Sequence, residues 1–222
     1  MTRLQDNWLI IMVLEIFGVV FGFIYLYLEI RQEKGMWAVG FLMALVYAAV
    51  YWKGQVYASM GFQIYYVLVS VYGFLEWRRQ GKAQLQAAGR EHGAAQGRGD
   101  EAWEQGRRIL YRKLPGSVLL WSTVVYAVAT ASMMGVLGRF TGDPVPFADS
   151  SVTVLSAIAT FWLSRAYREQ WLVWLLVNVV TVVMTLELQL YPTAVLYTVN
   201  AVASVYGYIH WKRNGTLLNS RG

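Results

Sequence analysis

The sequence SVYGFLEWRR at residues 70–79 recurs as SVYGYIHWKR at residues 204–213. The two stretches lie 134 residues apart, and a shift of that size aligns residues 31–79 with residues 165–213 without a gap. Thirteen of these 49 positions are identical, whereas so biased a composition would give on the order of four by chance. The chain therefore contains a duplicated unit.

Each copy of the unit is built from apolar segments of about 20 residues, the length at which a helix spans a bilayer. Of the 222 residues, 57% are hydrophobic and only 14% are charged, which is too little polar surface for a soluble domain. No cysteine is present, which excludes disulfides and thiolate metal sites. We predict seven transmembrane helices, at residues 8–30, 36–52, 57–77, 117–137, 147–167, 171–190 and 192–211.

The order of the helices predicts how the copies are oriented. The fifth helix begins four spans after the first, an even number, so both triplets cross the membrane in the same direction. We therefore predict an all-α membrane protein with parallel repeats in a 3+1+3 arrangement. Its predicted parts are a first repeat, a linker, a connecting fourth helix, a second repeat and a tail, at residues 8–79, 80–113, 114–140, 142–213 and 214–222.

The basic residues sort by side of the membrane. Of the 19 Lys and Arg residues, three lie at the amino terminus and in the connections after helices 2, 4 and 6. The other sixteen lie in the connections after helices 1, 3 and 5 and at the carboxyl terminus. Because positive loops stay in the cytoplasm, we predict an amino terminus outside and a carboxyl terminus inside. The net charge of +6 then marks topology beside membrane lipid and does not indicate a nucleic-acid partner.

Several function classes are disfavoured by what the sequence lacks. It has no Gly-rich phosphate loop, no Ser/His/Asp set and no metal-spaced cluster, so we expect no enzymatic activity, cofactor or metal. A membrane-embedded enzyme, or a scaffold that captures partners through residues 80–106, remains a minor alternative. A duplicated bundle favours a carrier, since two similar halves can rock about a central substrate. The sequence leaves open whether the chain forms a homo-oligomer.

The predicted substrate contacts begin where the two copies differ. Trp171, Trp174 and Asn178 share one face of helix 6. Gly40 is the repeat counterpart of Trp174, and Ala44 that of Asn178, so the second copy has an aromatic ring and an amide in place of small residues. Tryptophan faces can stack a flat ring, including a cationic one.

Helices 3 and 7 supply the remaining predicted contacts. Tyr197 and Asn200 lie on one face of helix 7, and their counterparts on helix 3 are Gln63 and Tyr66. An amide in a membrane span faces the bundle interior or a cavity, where it can donate and accept hydrogen bonds at once. Hydrogen bonding between helices alone would also account for these amides.

Two further readings stay open. Trp171 lies near a helix end, where an interfacial anchor is as plausible as a stacking ring. Glu15 and Asp149 are repeat counterparts toward the outer side, and they could relay protons or pair with neighbouring helices.

Taken in order, these residues resemble the PnuC family of bacterial vitamin transporters over nearly the whole chain except the linker. The pattern that carries the resemblance is Glu15…Gly18…Gly22…Arg31…Trp37-x-x-Gly40…Tyr57…Gln63…Tyr72-Gly73…Trp77, then Asp149…Arg165…Glu169…Trp171-x-x-Trp174…Asn178…Tyr191-x-Thr193…Tyr197…Gly207…Trp211. The chain departs from the family at Ala38, where relatives often carry proline, a difference that bears on a helix start.

The resemblance implies a fold similar to that of the SWEET transporters and a location in the bacterial inner membrane. It also implies facilitated diffusion of nicotinamide riboside, a cationic ring joined to a ribose. Another ring-bearing vitamin such as thiamine is the alternative substrate. Under this hypothesis Trp174, with Trp171, stacks the nicotinamide, and the ribose and carboxamide are bound by Gln63, Tyr66, Asn178, Tyr197 and Asn200.

Overall fold

The computed structural model of the chain describes residues 17, 19–53, 57–92, 109–140, 146–187, 189 and 191–218. Within these residues it contains seven helices, one for each predicted transmembrane segment. Residues 8–16 of the first segment, including Glu15, lie outside the described residues. The helices are α1 (Val19–Ile30), α2 (Gly35–Lys53), α3 (Tyr57–His92), α4 (Gly116–Phe140), α5 (Pro146–Ser164), α6 (Gln170–Glu187) and α7 (Tyr191–Asn214).

Three of these helices are long and apolar enough to cross a membrane by length and composition, namely Gly116–Val136, Phe147–Ser164 and Gln170–Glu187. Helix α4 exposes large apolar side chains, among them Leu120, Trp121 and Val128, each more than 60% exposed. Water would not tolerate so much contiguous apolar surface on one helix, whereas lipid solvates it. The fold is therefore that of a helical membrane protein.

Helix α3 continues well past the predicted end of its membrane span. The sequence predicts a linker from residue 80 onward, but the helix runs on to His92. Residues 80–92 are rich in Ala, Gln, Lys and Arg, which are strong helix formers even where no apolar face drives packing. The hydropathy pattern shows where the apolar segment ends, and the helix continues beyond that point, so the predicted end of the helix was too early.

The chain divides into two compact units, Met1–Arg107 and Arg108–Gly222. In the first unit α2 packs on α3, and in the second α4 packs on α5, α5 on α6, and α6 on α7. Polar side chains join α4 to α5: Trp162 donates its indole N–H to Ser122 Oγ at 3.0 Å, and the Tyr126 hydroxyl bonds to Ser151 Oγ at 3.1 Å.

The turn between α1 and α2 ends the first helix with a Schellman cap. The Glu33 amide donates to the Leu28 carbonyl at 2.9 Å, and the Gln32 amide donates to the Glu29 carbonyl at 3.0 Å. Gln32 takes the left-handed conformation that this motif requires, with φ of 55°. The cap satisfies carbonyls at the end of α1 and redirects the chain into α2.

The turn between α5 and α6 repeats that cap at a shift of 134 residues. The Tyr167 amide donates to the Trp162 carbonyl at 3.0 Å, and the Ala166 amide donates to the Leu163 carbonyl at 2.8 Å. Ala166, the counterpart of Gln32, has φ of 58°. The duplication read from the sequence therefore extends to individual backbone hydrogen bonds.

A tryptophan pair packed on a glycine lies inside the first unit. The rings of Trp37 and Trp77 meet edge to face, with centroids 5.3 Å apart and planes at 83°. Both residues are buried, and a Cβ at Gly73 would overlap the Trp37 indole. The glycine is needed here because the ring occupies the space of any larger side chain.

The second unit contains the same cluster. Trp171 and Trp211 meet at 5.7 Å and 86°, and both are at most 1% exposed. A Cβ at Gly207 would lie 2.7 Å from two atoms of the Trp171 indole. The two tryptophans and the glycine that both copies share thus hold the second helix of each triplet against the third.

Two short strands outside the helices pair in parallel, β1 (Ile109–Tyr111) and β2 (Gly215–Leu217). The pairing joins a segment predicted as linker to a segment predicted as tail. All three residues of β1 are buried, as expected of apolar and aromatic residues that favour strands. A three-residue strand is too short to be recognised from sequence periodicity.

The segment after β1 is also bound to the turn between α5 and α6. The Arg112 amide donates to the Ala166 carbonyl at 2.9 Å, and the Arg168 amide donates to the Arg112 carbonyl at 3.3 Å. The Leu114 amide donates to Glu169 Oε2 at 3.1 Å. We call residues 109–114, 165–169 and 215–218 together the clasp.

Candidate functional site

A buried amide and a buried hydroxyl link α6 to α7. Asn178 Nδ2 donates to Ser204 Oγ at 3.3 Å, and Ser204 Oγ donates to the Asn200 carbonyl at 2.8 Å. Asn178 is 5% exposed and Ser204 2% exposed. Two of the predicted site residues, Asn178 and Asn200, are therefore connected through a serine.

Trp174 lies one turn from Asn178 on the same helix. It is half-buried, and its indole N–H is enclosed without a hydrogen-bond partner among the described residues. A buried indole normally finds an acceptor. Trp174 thus combines a partly accessible ring with an unused donor, which is the chemistry of a binding residue more than of a packing residue.

Trp171 has a different environment. It is 1% exposed, and its ring is held between Trp211 and Gly207. An interfacial anchor would present its ring to the membrane surface, which this burial does not allow. The reading as an anchor is therefore wrong, and a contact between Trp171 and substrate stays a prediction.

The other predicted contacts are half-buried in their own units. Gln63 and Tyr66 belong to α3 of the first unit, where the Tyr66 ring lies 5.4 Å from that of Tyr65. Tyr197 and Asn200 belong to α7 of the second unit. Their roles as substrate contacts stay predictions, and the described geometry joins only Asn178 and Asn200.

The position of Gly40 refines the comparison between the copies. A Cβ at Gly40 would lie 3.1 Å from the Tyr25 ring and 3.4 Å from Ser70 Oγ. In the first copy the space beside Gly40 is thus occupied by a ring from α1, whereas in the second copy the corresponding position on α6 carries a ring of its own, Trp174. The counterpart of Tyr25 is Ala159, which is completely buried. An aromatic ring is present in both copies, but it comes from a different helix.

Sequence reasoning missed Gln170, which begins α6. Its side chain is 0% exposed, and neither its oxygen nor its nitrogen has a hydrogen-bond partner within the described part of the chain. Its repeat counterpart, Met36, is equally buried and apolar. The signal was visible in the sequence, since this is a third position, on the same helix face as Trp174 and Asn178, at which the two copies differ.

A second missed residue is Glu29 in α1, a carboxylate that is only 3% exposed. Its repeat counterpart is Leu163, which is completely buried. Asp149, by contrast, lies in the first turn of α5 and is half-buried. The positive end of the helix dipole favours an acidic residue at that position. The described residues contain no group of three acidic or histidine side chains placed to hold a metal.

An apolar helical bundle with enclosed amides and a partly accessible indole has the features of a membrane carrier for a small polar solute. The chain belongs to the nicotinamide mononucleotide transporter family, whose family model matches residues 12–213. That family consists of transporters and not of enzymes. The chain is therefore a multi-pass protein of the inner membrane with a transport function.

Three characterised relatives are similar over most of the chain. The nicotinamide riboside transporter PnuC of Escherichia coli K12 is 23% identical, over 94% of this chain and 88% of its own length. The PnuC protein of Neisseria mucosa is 29% identical, over 78% and 62%. The riboflavin/roseoflavin transporter RibM of Streptomyces davaonensis is 24% identical, over 89% and 83%.

One solved structure shares the fold. The crystal structure of the vitamin B3 transporter PnuC matches with a TM-score of 0.58 and 22% sequence identity. The match covers 96% of this chain and 92% of that one. The helical architecture described above is therefore the architecture of a known transporter.

Proposed function

We propose that this chain carries nicotinamide riboside across the bacterial inner membrane by facilitated diffusion. The observation that carries the proposal is the face of α6, where the half-buried ring of Trp174 lies one turn from the amide of Asn178. A cationic ring can stack on an indole, and a ribose needs groups that donate and accept hydrogen bonds together. The names of the PnuC relatives support the same substrate.

Trp174 is proposed as the stacking residue, since its ring is partly accessible. Trp171 supports it from the adjacent core, because its own ring is enclosed by Trp211 and Gly207. Asn178 and Asn200 are proposed to bind the ribose hydroxyls, with Ser204 holding the amide of Asn178 in place. Gln63, Tyr66 and Tyr197 are proposed as further polar contacts.

The transport cycle is proposed to be alternating access between two parallel triplets in a 3+1+3 arrangement similar to that of SWEET transporters. The matching caps after α1 and α5 support two copies of one structural unit. Two similar triplets can each adopt the conformation of the other, which exchanges an outward-open state for an inward-open state. Diffusion through such a cycle needs no coupled energy source.

Uptake into proteoliposomes tests the proposal. Purified protein should import labelled nicotinamide riboside saturably, with inhibition by excess unlabelled nicotinamide riboside and no uptake into protein-free liposomes. Entry that neither saturates nor responds to the unlabelled compound would overturn the function. An imposed proton gradient should leave the initial rate unchanged, since the proposed cycle is not coupled.

Riboflavin is the second candidate substrate, because RibM of Streptomyces davaonensis is also similar to this chain. A ligand that binds only the folded state raises the apparent stability by an amount that grows with the logarithm of the ratio of its concentration to its dissociation constant, so equal concentrations allow a ranking. Side-by-side thermal shifts with nicotinamide riboside, riboflavin and thiamine therefore rank the three. We expect the largest shift from nicotinamide riboside, and a larger shift from riboflavin would reassign the substrate.

The proposed orientation places the clasp in the cytoplasm and the connection after α4 outside. The chain has no cysteine, so single cysteines report topology without background. Lys82→Cys should react with an impermeant maleimide only in inverted vesicles, and Arg139→Cys only in intact cells. Both side chains are exposed. The opposite labelling pattern would reverse the orientation.

A further inference from the structure

The first turns of α6 contain a concentration of unused hydrogen-bonding groups. Both polar atoms of the Gln170 side chain and the indole N–H groups of Trp171 and Trp174 are buried without a partner among the described residues. Native proteins satisfy nearly all such groups, so a cluster of them points to a missing partner. Gln170 contributes two of the four atoms, and it is 0% exposed.

The fold itself does not require an amide at this position. Met36, the repeat counterpart of Gln170, is also 0% exposed, and it follows the same capped turn at the start of α2. Methionine and glutamine have similar length and volume, so the first unit shows that an apolar side chain fills this place. The amide in the second unit therefore carries a cost in stability that packing does not explain.

The chemistry of a primary amide limits what its partner can be. The amide presents an acceptor oxygen and a donor nitrogen side by side in one plane. Another primary carboxamide offers the matching donor and acceptor and can form two parallel hydrogen bonds with it. A carboxylate offers only acceptors, so it would leave the Gln170 oxygen facing a like group.

Gln170 also has the right neighbour for a ring that bears a carboxamide. Trp174 lies four residues further along α6, which places it one turn away on the same helix face. Its indole N–H is the next unused donor along that face. A flat ring stacked on Trp174 would lie about one helical turn from Gln170, a distance that a ring substituent can span.

We propose that Gln170 is a specificity-determining residue that pairs with the carboxamide of the substrate ring and discriminates against the corresponding carboxylate. The proposal rests on the proposed transport of nicotinamide riboside. Since the side chain is enclosed in this conformation, the substrate reaches it in a state of the cycle in which the start of α6 opens. The unliganded protein then holds an unsatisfied amide, and binding satisfies it.

The test compares the wild type and Gln170→Met by calorimetric binding to the ribosides of nicotinamide and of nicotinic acid. The wild type should bind the amide at least tenfold more tightly than the acid. Gln170→Met should weaken binding of the amide about tenfold, the effect of losing one to two neutral hydrogen bonds. The ratio of the dissociation constants of the two ribosides should become smaller than in the wild type. The melting temperature of Gln170→Met without ligand should equal or exceed that of the wild type.

The outcomes separate this inference from the proposed function. If the wild type binds neither riboside, the proposed function fails. If the wild type binds both equally, or if Gln170→Met retains the affinity and the ratio of the wild type, the inference alone is overturned. A fall in the melting temperature of unliganded Gln170→Met would also overturn it, since that result would mean that the amide already has a partner. Should Gln170→Met not fold, Gln170→Leu repeats the comparison with another apolar side chain and the same expected loss of affinity and discrimination. A wild-type ratio near one overturns the inference without any variant.

Discussion

The turns that join α1 to α2 and α5 to α6 make the same hydrogen bonds, but only in the second does the structure define further backbone bonds to the turn. The first ends in an exposed pair, Arg31 with Glu33 at 3.8 Å. The second is bonded to Arg112 and Leu114 and so forms part of the clasp. The comparison shows that the cap is common to both turns, whereas the described residues define bonds to the clasp for the second turn.

The turn between α5 and α6 also contains a cation that packs against aromatic rings. The Arg168 guanidinium lies over the rings of Tyr111 and Tyr208, at 5.2 Å and 4.9 Å from their centroids, and pairs with Glu169 at 3.3 Å. Its side chain is 13% exposed, against 58% for Arg31. Arg168 is the repeat counterpart of Lys34, whereas Arg31 corresponds to Arg165. Arg31 and Arg165 are placed alike, each over the ring four residues earlier, at 5.0 Å from Tyr27 and 5.7 Å from Phe161. The packed cation Arg168 therefore belongs to the clasp.

The largest expected effect comes from breaking the cluster that both units share. Gly207→Ala places a Cβ 2.7 Å from the Trp171 indole, a ring that is only 1% exposed. We expect a loss of about 3 kcal/mol in the free energy of unfolding. Denaturation in detergent, followed by tryptophan fluorescence, measures it.

Gly135→Ala is the matched control, since a Cβ at that position meets nothing within 4 Å. It should be neutral or stabilising by up to about 1 kcal/mol, because alanine is the better helix former. Gly73→Ala should behave like Gly207→Ala if the two clusters are equivalent. Equal stabilities of Gly207→Ala and Gly135→Ala would refute the packing described for Trp171.

The second-largest expected effect distinguishes the turn between α5 and α6 from the turn between α1 and α2. Glu169→Ala removes the acceptor of the Leu114 amide and the partner of Arg168, and both groups are partly enclosed. Hydrogen bonds to charged groups contribute about 1.5–3 kcal/mol, so we expect a loss of about 2 kcal/mol. Amide hydrogen exchange at Leu114 should accelerate in parallel.

Glu33→Ala provides the control in the first unit. Its pair with Arg31 is more than half exposed on both sides, and such pairs contribute about 0–1 kcal/mol. We expect no resolvable change in stability. A loss for Glu33→Ala as large as that for Glu169→Ala would mean that the two turns are held equally.

The seven helices were predicted from hydropathy, and the duplication was predicted from positions at which both copies carry the same residue. How those shared residues pack was not predicted. Trp37, Gly73 and Trp77 recur at the same spacing, and the structure gives each set one packing. The clasp was missed because three-residue strands have no readable period and because their partners are over 100 residues apart in the chain. The extension of α3 was missed because it depends on helix propensity and not on hydropathy.

The candidate site was predicted from residues that differ between the copies, and that rule was applied incompletely. It selected Trp174 and Asn178 but passed over Gln170, whose counterpart Met36 gives the same kind of signal. It also could not show that Tyr25 fills the space at Gly40. Which helix supplies a side chain to a given space depends on packing, and packing is not visible in a one-dimensional alignment.

A third effect tests the polar replacement at Asn178, where the first unit has Ala44. Asn178→Ala removes the amide proposed to bind the ribose and leaves Ser204 with its bond to the Asn200 carbonyl. We expect about tenfold weaker binding of nicotinamide riboside, or about 1.4 kcal/mol, with a melting temperature near that of the wild type.

Thr181→Val is its control, because the Thr181 hydroxyl lies on the same buried face but bonds only to the Val177 carbonyl of its own helix, at 2.8 Å. This variant should keep the affinity of the wild type. Isothermal titration of both variants makes the comparison. Unchanged affinity for Asn178→Ala would remove that residue from the site and leave it as a bond between helices.

The smallest expected effect has the most informative sign. Ala166 is held at φ of 58°, a conformation that costs an L-residue with a Cβ about 1–2 kcal/mol. Ala166→Gly removes that cost but adds about 0.5–1 kcal/mol of conformational entropy to the unfolded chain, so we expect the free energy of unfolding to rise by about 0.5 kcal/mol.

Ala159→Gly, at a buried position inside α5, should instead lower the free energy of unfolding by about 1 kcal/mol or more. The opposite signs follow from backbone conformation alone, since both alanines are fully buried. If Ala166→Gly destabilises as much as Ala159→Gly, the left-handed cap does not form after α5, and the correspondence between the two turns fails with it.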